Sequence, residues 1–213
     1  MPRTQTPTRA QRQRLSRDEV RERLIAATTE LVRDRSFYEL SVAEVTEHAG
    51  IERTIFYRHF DDLADLLLRA ATDAIGSLYA AQVELDAERE EGDIEAVRAA
   101  IEPAVRVYQR HGPVLRAVTE AGASNPRIAA GGAELRRRFN ELATDSLGGL
   151  PGLRENPPAD VAESARALNL LNEAYLRDAF GREPRVSAES AVQTLTEIWA
   201  AFLDRSAPRA GDA

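Results

Sequence analysis

Apolar residues recur three and four positions apart along nearly the whole chain, and no stretch longer than a few residues alternates apolar with polar. That periodicity belongs to helices with one buried face and argues against a half-buried sheet, so the expected fold class is all-α. Val20, Leu24, Ala27 and Leu31 fall on one side of a first helix. Near the carboxy terminus, Val161, Ala165, Leu168, Leu171 and Tyr175, and then Ala191, Leu195, Ile198 and Phe202, form similar stripes. With 213 residues the chain can hold one or two domains around an apolar core.

Local punctuation divides this pattern. Ser16 with Glu19, and Ser41 with Glu44, have the Ser-x-x-Glu spacing of a capping box, in which a hydroxyl and a carboxylate satisfy backbone donors at a helix start. Gly50 breaks the second helix, and a tight turn at Ile51 leads into a third that is expected to end near Phe60. Asp61 and Asp62 begin a fourth helix running to about Glu90. A fifth over 94–110 is expected to stop at His111-Gly112-Pro113, with a short helix over 114–121 after it. Asn125-Pro126 opens the next, weakened at Gly131-Gly132, and after a Pro-rich loop over 150–158 the last two span 159–180 and 188–205. The expected organisation is a disordered basic arm over 1–15, a three-helix unit over 16–62, a helical body over 63–206 and a flexible tail over 207–213.

Charge is unevenly distributed. The net value is −7, yet residues 1–60 carry 11 arginines against 9 acids, and the first 17 hold five arginines and no acid. A basic arm on a mildly basic unit fits contact with nucleic acid, and a solubilising tail would have the same composition. No run approaches the 18 apolar residues of a membrane span, and the amino terminus is polar, so a soluble, cytoplasmic protein with no membrane partner is expected. Zero cysteines and three separated histidines (His48, His59, His111) lead us to expect no metal site and no cofactor. Acids scattered over helix faces, without a Glu-x-x-His pair or a Gly-rich phosphate loop, argue against an enzyme.

Residues 41–60, SVAEVTEHAGIERTIFYRHF, carry the strongest functional signal. Two short helices joined at a glycine and preceded by a supporting helix form a helix-turn-helix, whose second helix can enter the major groove of DNA. Val45, Ala49, Ile51, Phe56 and Phe60 are expected to hold that helix against its neighbours, leaving Arg53, Thr54, Tyr57 and Arg58 outward. A guanidinium can donate to a guanine edge or a phosphate, and hydroxyl and phenol groups can donate to phosphate oxygens. With Ser41 and His59 at the borders, these six are the candidate DNA-contacting residues. The bland alternative is an ordinary solvated face.

Ending in Phe56-Tyr57-Arg58-His59-Phe60, residues 16–66 resemble the DNA-binding domain of TetR-type bacterial transcriptional repressors. The resemblance implies a homodimer, joined through the last two helices as a four-helix bundle, that binds a palindromic double-stranded DNA operator and releases it when a small molecule enters the body. The chain departs from the family's usual residues at Glu52, where a capping Ser or Thr is common, at Ile55 and at Leu63. Each change removes or opposes a phosphate contact, and the arginine arm is expected to compensate.

The stretch ALNLLNEAYLRDAF and the later Trp199 are similar to the carboxy-terminal part of the mycobacterial ethionamide-resistance repressors. That similarity implies a largely apolar tunnel lined by Asn169, Asn172 and Trp199, with Tyr108, Phe139 and Asn140 as further wall residues, and a small apolar effector. Asparagines at i and i+3 can both donate and accept within such a cavity; capping of backbone groups, or a meeting across a dimer, remains open for them. Arg136-Arg137-Arg138 could meet an acidic effector, but the triplet reads more readily as solvated surface. The expected function is a ligand-responsive DNA-binding transcriptional regulator, a repressor released from its operator by an apolar small molecule; the alternative, which the missing phosphate contacts leave open, is a helical interaction protein of the same fold with weak or lost DNA binding.

Overall fold

A computed structural model describes residues 15–87, 93–148 and 158–204. The arm, the far end of the fourth helix, most of the Pro-rich loop and the tail lie outside these. The described residues form eight α-helices: α1 Arg17–Asp34, α2 Val42–Ala49, α3 Arg53–Phe56, α4 Leu63–Ala87, α5 Asp93–Gly122, α6 Pro126–Gly148, α7 Val161–Phe180 and α8 Ala188–Asp204. A single 3-10 turn, Phe37–Glu39, follows α1. None of the described helices is long and apolar enough to cross a membrane.

Both capping boxes form. Ser16 Oγ accepts the Glu19 N–H at 3.1 Å while the Glu19 carboxylate accepts the Ser16 N–H at 2.6 Å, and Ser41 and Glu44 repeat the exchange at 3.2 and 2.9 Å. These bonds hold both carboxyls below the usual range, Glu19 through Ser16 and Glu44 through Ser41 and Arg35. Gly50 ends α2 in the left-handed region (φ 64°, ψ 33°), where a side chain would be strained, and the Ile51 N–H then closes back on the Thr46 carbonyl at 2.9 Å. α3 is shorter than expected. Its last turn tightens into i→i+3 bonds, Arg58 to Ile55 and His59 to Phe56, so Tyr57 to His59 form a turn rather than α-helix.

The largest departure is α5. His111-Gly112-Pro113 does not stop it; one 30-residue helix runs through both Pro103 and Pro113. Gly112 serves packing instead of termination, because a Cβ there would stand 2.2 Å from the Phe180 carbonyl oxygen at the end of α7. α6 likewise continues through Gly131-Gly132, and a Cβ on Gly131 would meet the Leu68 side chain of α4 at 2.5 Å. The glycines mark close helix crossings, a role that local pattern does not distinguish from breaking.

Two large cores and a small cluster of Ala74, Leu78 and Val107 result, and α5 belongs to all three. Leu24, Val45, Phe56, Phe60, Leu66 and Leu67 from α1 to α4 pack with Val114, Ala117 and Ala121 of α5. Val97, Ile101 and Val105 of α5 pack with Ala165, Leu176 and Phe180 of α7 and Leu195 and Trp199 of α8. The carboxy-terminal stripes divide between uses: Ala165, Ala191 and Leu195 are buried within the chain, whereas Leu171 and Ile198 are exposed beside Leu170.

Candidate functional site

At one end of the molecule the sequence RTIFYRHF alternates burial with display. Phe56 and Phe60 are buried, while Arg53, Thr54, Tyr57 and Arg58 are exposed, Tyr57 by 51%. The buried Phe56 ring meets Tyr57 edge-on at 5.3 Å, and the Arg53 guanidinium lies 5.8 Å from the Tyr57 ring centre. Arg53 Nη2 is 3.4 Å from the Tyr57 hydroxyl. The phenol and guanidinium are thus held side by side by a ring anchored in the core, which lowers the entropy lost when they engage a partner.

The borders of this face differ from expectation. His59 is half-buried rather than displayed, and burial, then the charges of Arg17, Arg21 and Arg58, push its pKa down. Arg17 and Arg21, one helical turn apart on α1, therefore join Arg58 in one positive cluster, a pairing that required the fold to see. Ser41 is committed to α2: its N–H and hydroxyl both donate to Glu44, at 2.9 and 2.8 Å. Glu52 precedes α3 without a side-chain capping bond.

A cavity of about 100 Å³ lies between α4, α5, α6 and α7. Ile75, Leu78, Leu115, Val118, Leu135 and Phe139 supply much of its apolar wall. Five of the six anticipated residues line it: Tyr108, Phe139, Asn140, Asn169 and Asn172. Trp199 does not. It is buried in the second core behind the wall, and its indole N–H donates to Asn172 Oδ1 at 3.3 Å, so it orients a lining residue. Asn169 Nδ2 donates to Asn140 Oδ1 at 3.1 Å. Arg136 is less exposed than its neighbours and lines the cavity, where it donates to Glu173 at 2.8 and 3.1 Å. Arg137 and Arg138 remain outside, paired with Glu134. Arg136 and Glu173 stand 37 positions apart, so no sequence spacing announced the pair.

Residues 24–70 match the family described as bacterial regulatory proteins of the tetR family, and residues 97–203, half of the chain, match the C-terminal domain of the transcriptional regulator EthR. The chain belongs to the TetR family. Within it, the regulator is 29% identical to the HTH-type transcriptional regulator EthR of Mycolicibacterium smegmatis over 92% of this chain and 91% of the relative. It is also 29% identical to EthR of Mycobacterium tuberculosis H37Rv over 84% of this chain and 85% of that one. Its fold matches the TetR-family regulator PfmR of Thermus thermophilus with a TM-score of 0.68 and 20% identity, over 88% of this chain and all of that structure. These families are DNA-binding transcriptional regulators, not enzymes.

Three polar ties join the regulator's helix-turn-helix to its body. The guanidinium of Arg116, 6% exposed on α5, donates to the Gly181 carbonyl beyond α7 at 2.8 Å, to Glu120 at 2.5 Å and to the Val32 carbonyl of α1. Tyr38, beside α1, donates its hydroxyl to the Ala121 carbonyl at 2.6 Å. Arg127 at the start of α6 pairs with Asp62 at 2.8 Å and Asp65 at 3.7 Å, at the start of α4.

Proposed function

We propose that this regulator is a homodimeric repressor that binds a palindromic operator and leaves it when a small, largely apolar effector enters the cavity. One observation carries the reading: α4 begins directly after the displayed turn that ends at Phe60, and its residues Ala71, Ile75 and Leu78 are also cavity wall. Anything that moves this wall tilts the same helix that positions Arg53, Thr54, Tyr57 and Arg58. In this reading residues 16–62 form the DNA-binding unit, residues 63–206 the effector and dimer body, and Tyr108, Phe139, Asn140, Asn169 and Asn172 the effector site. Ser41, His59 and Trp199 act as supports.

The exposed Leu170, Leu171 and Ile198 on α7 and α8 supply the dimer face. Two recognition units must then stand about 34–36 Å apart to meet successive major grooves on one side of DNA. An effector can shift the regulator only through unequal affinity for two states. Moving it from 99% competent to 1% needs about 10⁴-fold preference, or ~5.5 kcal/mol. Fluorescence anisotropy with the DNA upstream of the regulator's own coding sequence tests the reading. A dimer protecting two symmetric half-sites is expected, and absence of binding, or protection of a single half-site by a monomer, contradicts it and favours an interaction protein of the same fold.

A further inference from the structure

The cavity wall is far richer in donors than in acceptors. Tyr108 is 8% exposed, lines the cavity, and its hydroxyl has no hydrogen-bond partner among the described residues. Arg136 uses Nε and one Nη2 N–H on Glu173, which leaves its Nη1 group without a partner among the described residues. Asn140 and Asn172 accept through their oxygens from Asn169 and Trp199, and their side-chain NH2 groups likewise have no partner among the described residues. On the acceptor side, the Asn169 carbonyl oxygen is left without a partner among the described residues, while Glu173 is already occupied: both of its oxygens receive Arg136, and Arg177 adds a third bond at 3.0 Å. Two guanidiniums against one carboxylate leave this corner with one net positive charge.

We infer that the cavity binds an amphipathic carboxylic acid, its carboxylate held by Arg136 Nη1 and the Tyr108 hydroxyl and its apolar tail among Ile75, Leu78, Leu115 and Val118. This deepens the reading of the cavity as an effector site and rests on it. A carboxylate accepts through two oxygens and donates nothing, which matches an unengaged donor set. Guanidinium-to-carboxylate bonds are also the stronger, charge-assisted kind. An ammonium ligand would find its natural partner, Glu173, held by two competing cations. Arg136 and Asn140 line both the cavity and the outer groove between α6 and α7, so the charged head sits at the mouth and the tail enters first. Of the four acids of that groove, Glu141 is paired with Arg137, Glu163 with Arg166, and Asp160 caps α7, while the exposed Asp145 lines the groove but not the cavity. Burial, and then the charge of Glu173, push the Tyr108 pKa up, so its hydroxyl remains a donor.

The chain's single tryptophan, Trp199, is bonded to a lining residue and so reports occupancy by fluorescence. Octanoate, 1-octanol and octylamine share one tail and differ only in the head. On the 213-residue chain at neutral pH, octanoate is expected to bind at least ~10-fold tighter than 1-octanol, with octylamine weakest. Arg136→Gln is expected to erase that preference while changing the 1-octanol Kd less than about 3-fold, and Tyr108→Phe, which keeps the packing, to weaken octanoate alone by about 3- to 10-fold. Equal binding of acid and alcohol by the unaltered regulator, or a preference that survives both substitutions, overturns the carboxylate assignment yet keeps the cavity as an effector site. Failure of all three probes to bind overturns the effector site itself.

Discussion

The displayed face around Tyr57 and the cavity around Asn169 are both polar constellations on an apolar foundation, but they differ in what their polar groups touch. At the face, Arg53, Thr54, Tyr57 and Arg58 point outward from buried Phe56 and Phe60, and only a long 3.4 Å contact links two of them. In the cavity, asparagines bond each other or Trp199, and Arg136 bonds Glu173. A face of the first kind can meet a rigid duplex with little rearrangement. The second kind encloses about 100 Å³, below the ~300–1,000 Å³ typical of ligand sites, so an occupant must part its walls. That opening is the mechanical work that α4 would transmit.

The sharpest way to break the comparison uses two neighbours in sequence. Phe56→Ala removes a fully buried ring and should cost about 3–5 kcal/mol, seen as a large drop in the thermal midpoint. Tyr57→Ala should leave stability within about 0.5 kcal/mol. Arg116→Met comes next: it strands the Val32 and Gly181 carbonyls and should cost about 2–4 kcal/mol, measurable by urea unfolding, while also loosening the tie between α1 and the body. For DNA affinity, Arg53→Ala or Tyr57→Ala should each cost about 1–3 kcal/mol by anisotropy, with folding unchanged. Deleting residues 2–14, which leaves Leu15 on the first core, should lower affinity and flatten the salt dependence by about one unit of slope per lost phosphate contact. Unchanged binding would remove the arm from the DNA contact.

The smallest effect concerns pH. Burial lowers the pKa of both His59 and His111 below the ordinary 6.5, so the unfolded chain takes up these protons first as pH falls. Stability should therefore decline modestly as pH drops below about 6.5, and less so in His111→Asn. The carboxyls held low by hydrogen bonds, Glu19, Glu44 and Glu163, add their stability above about 4.5 and lose it only below that, so the two windows separate in a pH series of thermal midpoints.

The features legible in the sequence were those decided by neighbours in the chain. Ser16 with Glu19, Ser41 with Glu44, and Gly50 in its left-handed turn each act within four residues, and they position the helix-turn-helix. The buried and displayed sides of α3 followed from the same short range. What escaped was set by distant contacts. Gly112 looked like a terminator because its reason for being small, the Phe180 carbonyl, lies 68 positions away. Arg136 looked like surface because its partner Glu173 is on another helix, and nothing local marks Arg116 as buried between α1 and the end of α7. Asn169 and Asn172 were legible as a cavity pair through resemblance, whereas the placement of Trp199 behind them required the packing of α8.

The most direct test of the central claim, that filling the cavity repositions the displayed face, is a distance across the proposed dimer. The chain has no cysteine, so Ala43→Cys on the exposed side of α2 gives one spin-label site per subunit. Pulsed electron paramagnetic resonance should find a longer separation when Leu135→Trp fills the cavity from within than when the unfilled dimer holds operator DNA, together with a loss of DNA affinity. Equal separations in the two states, with affinity unchanged by the filled cavity, would contradict the account.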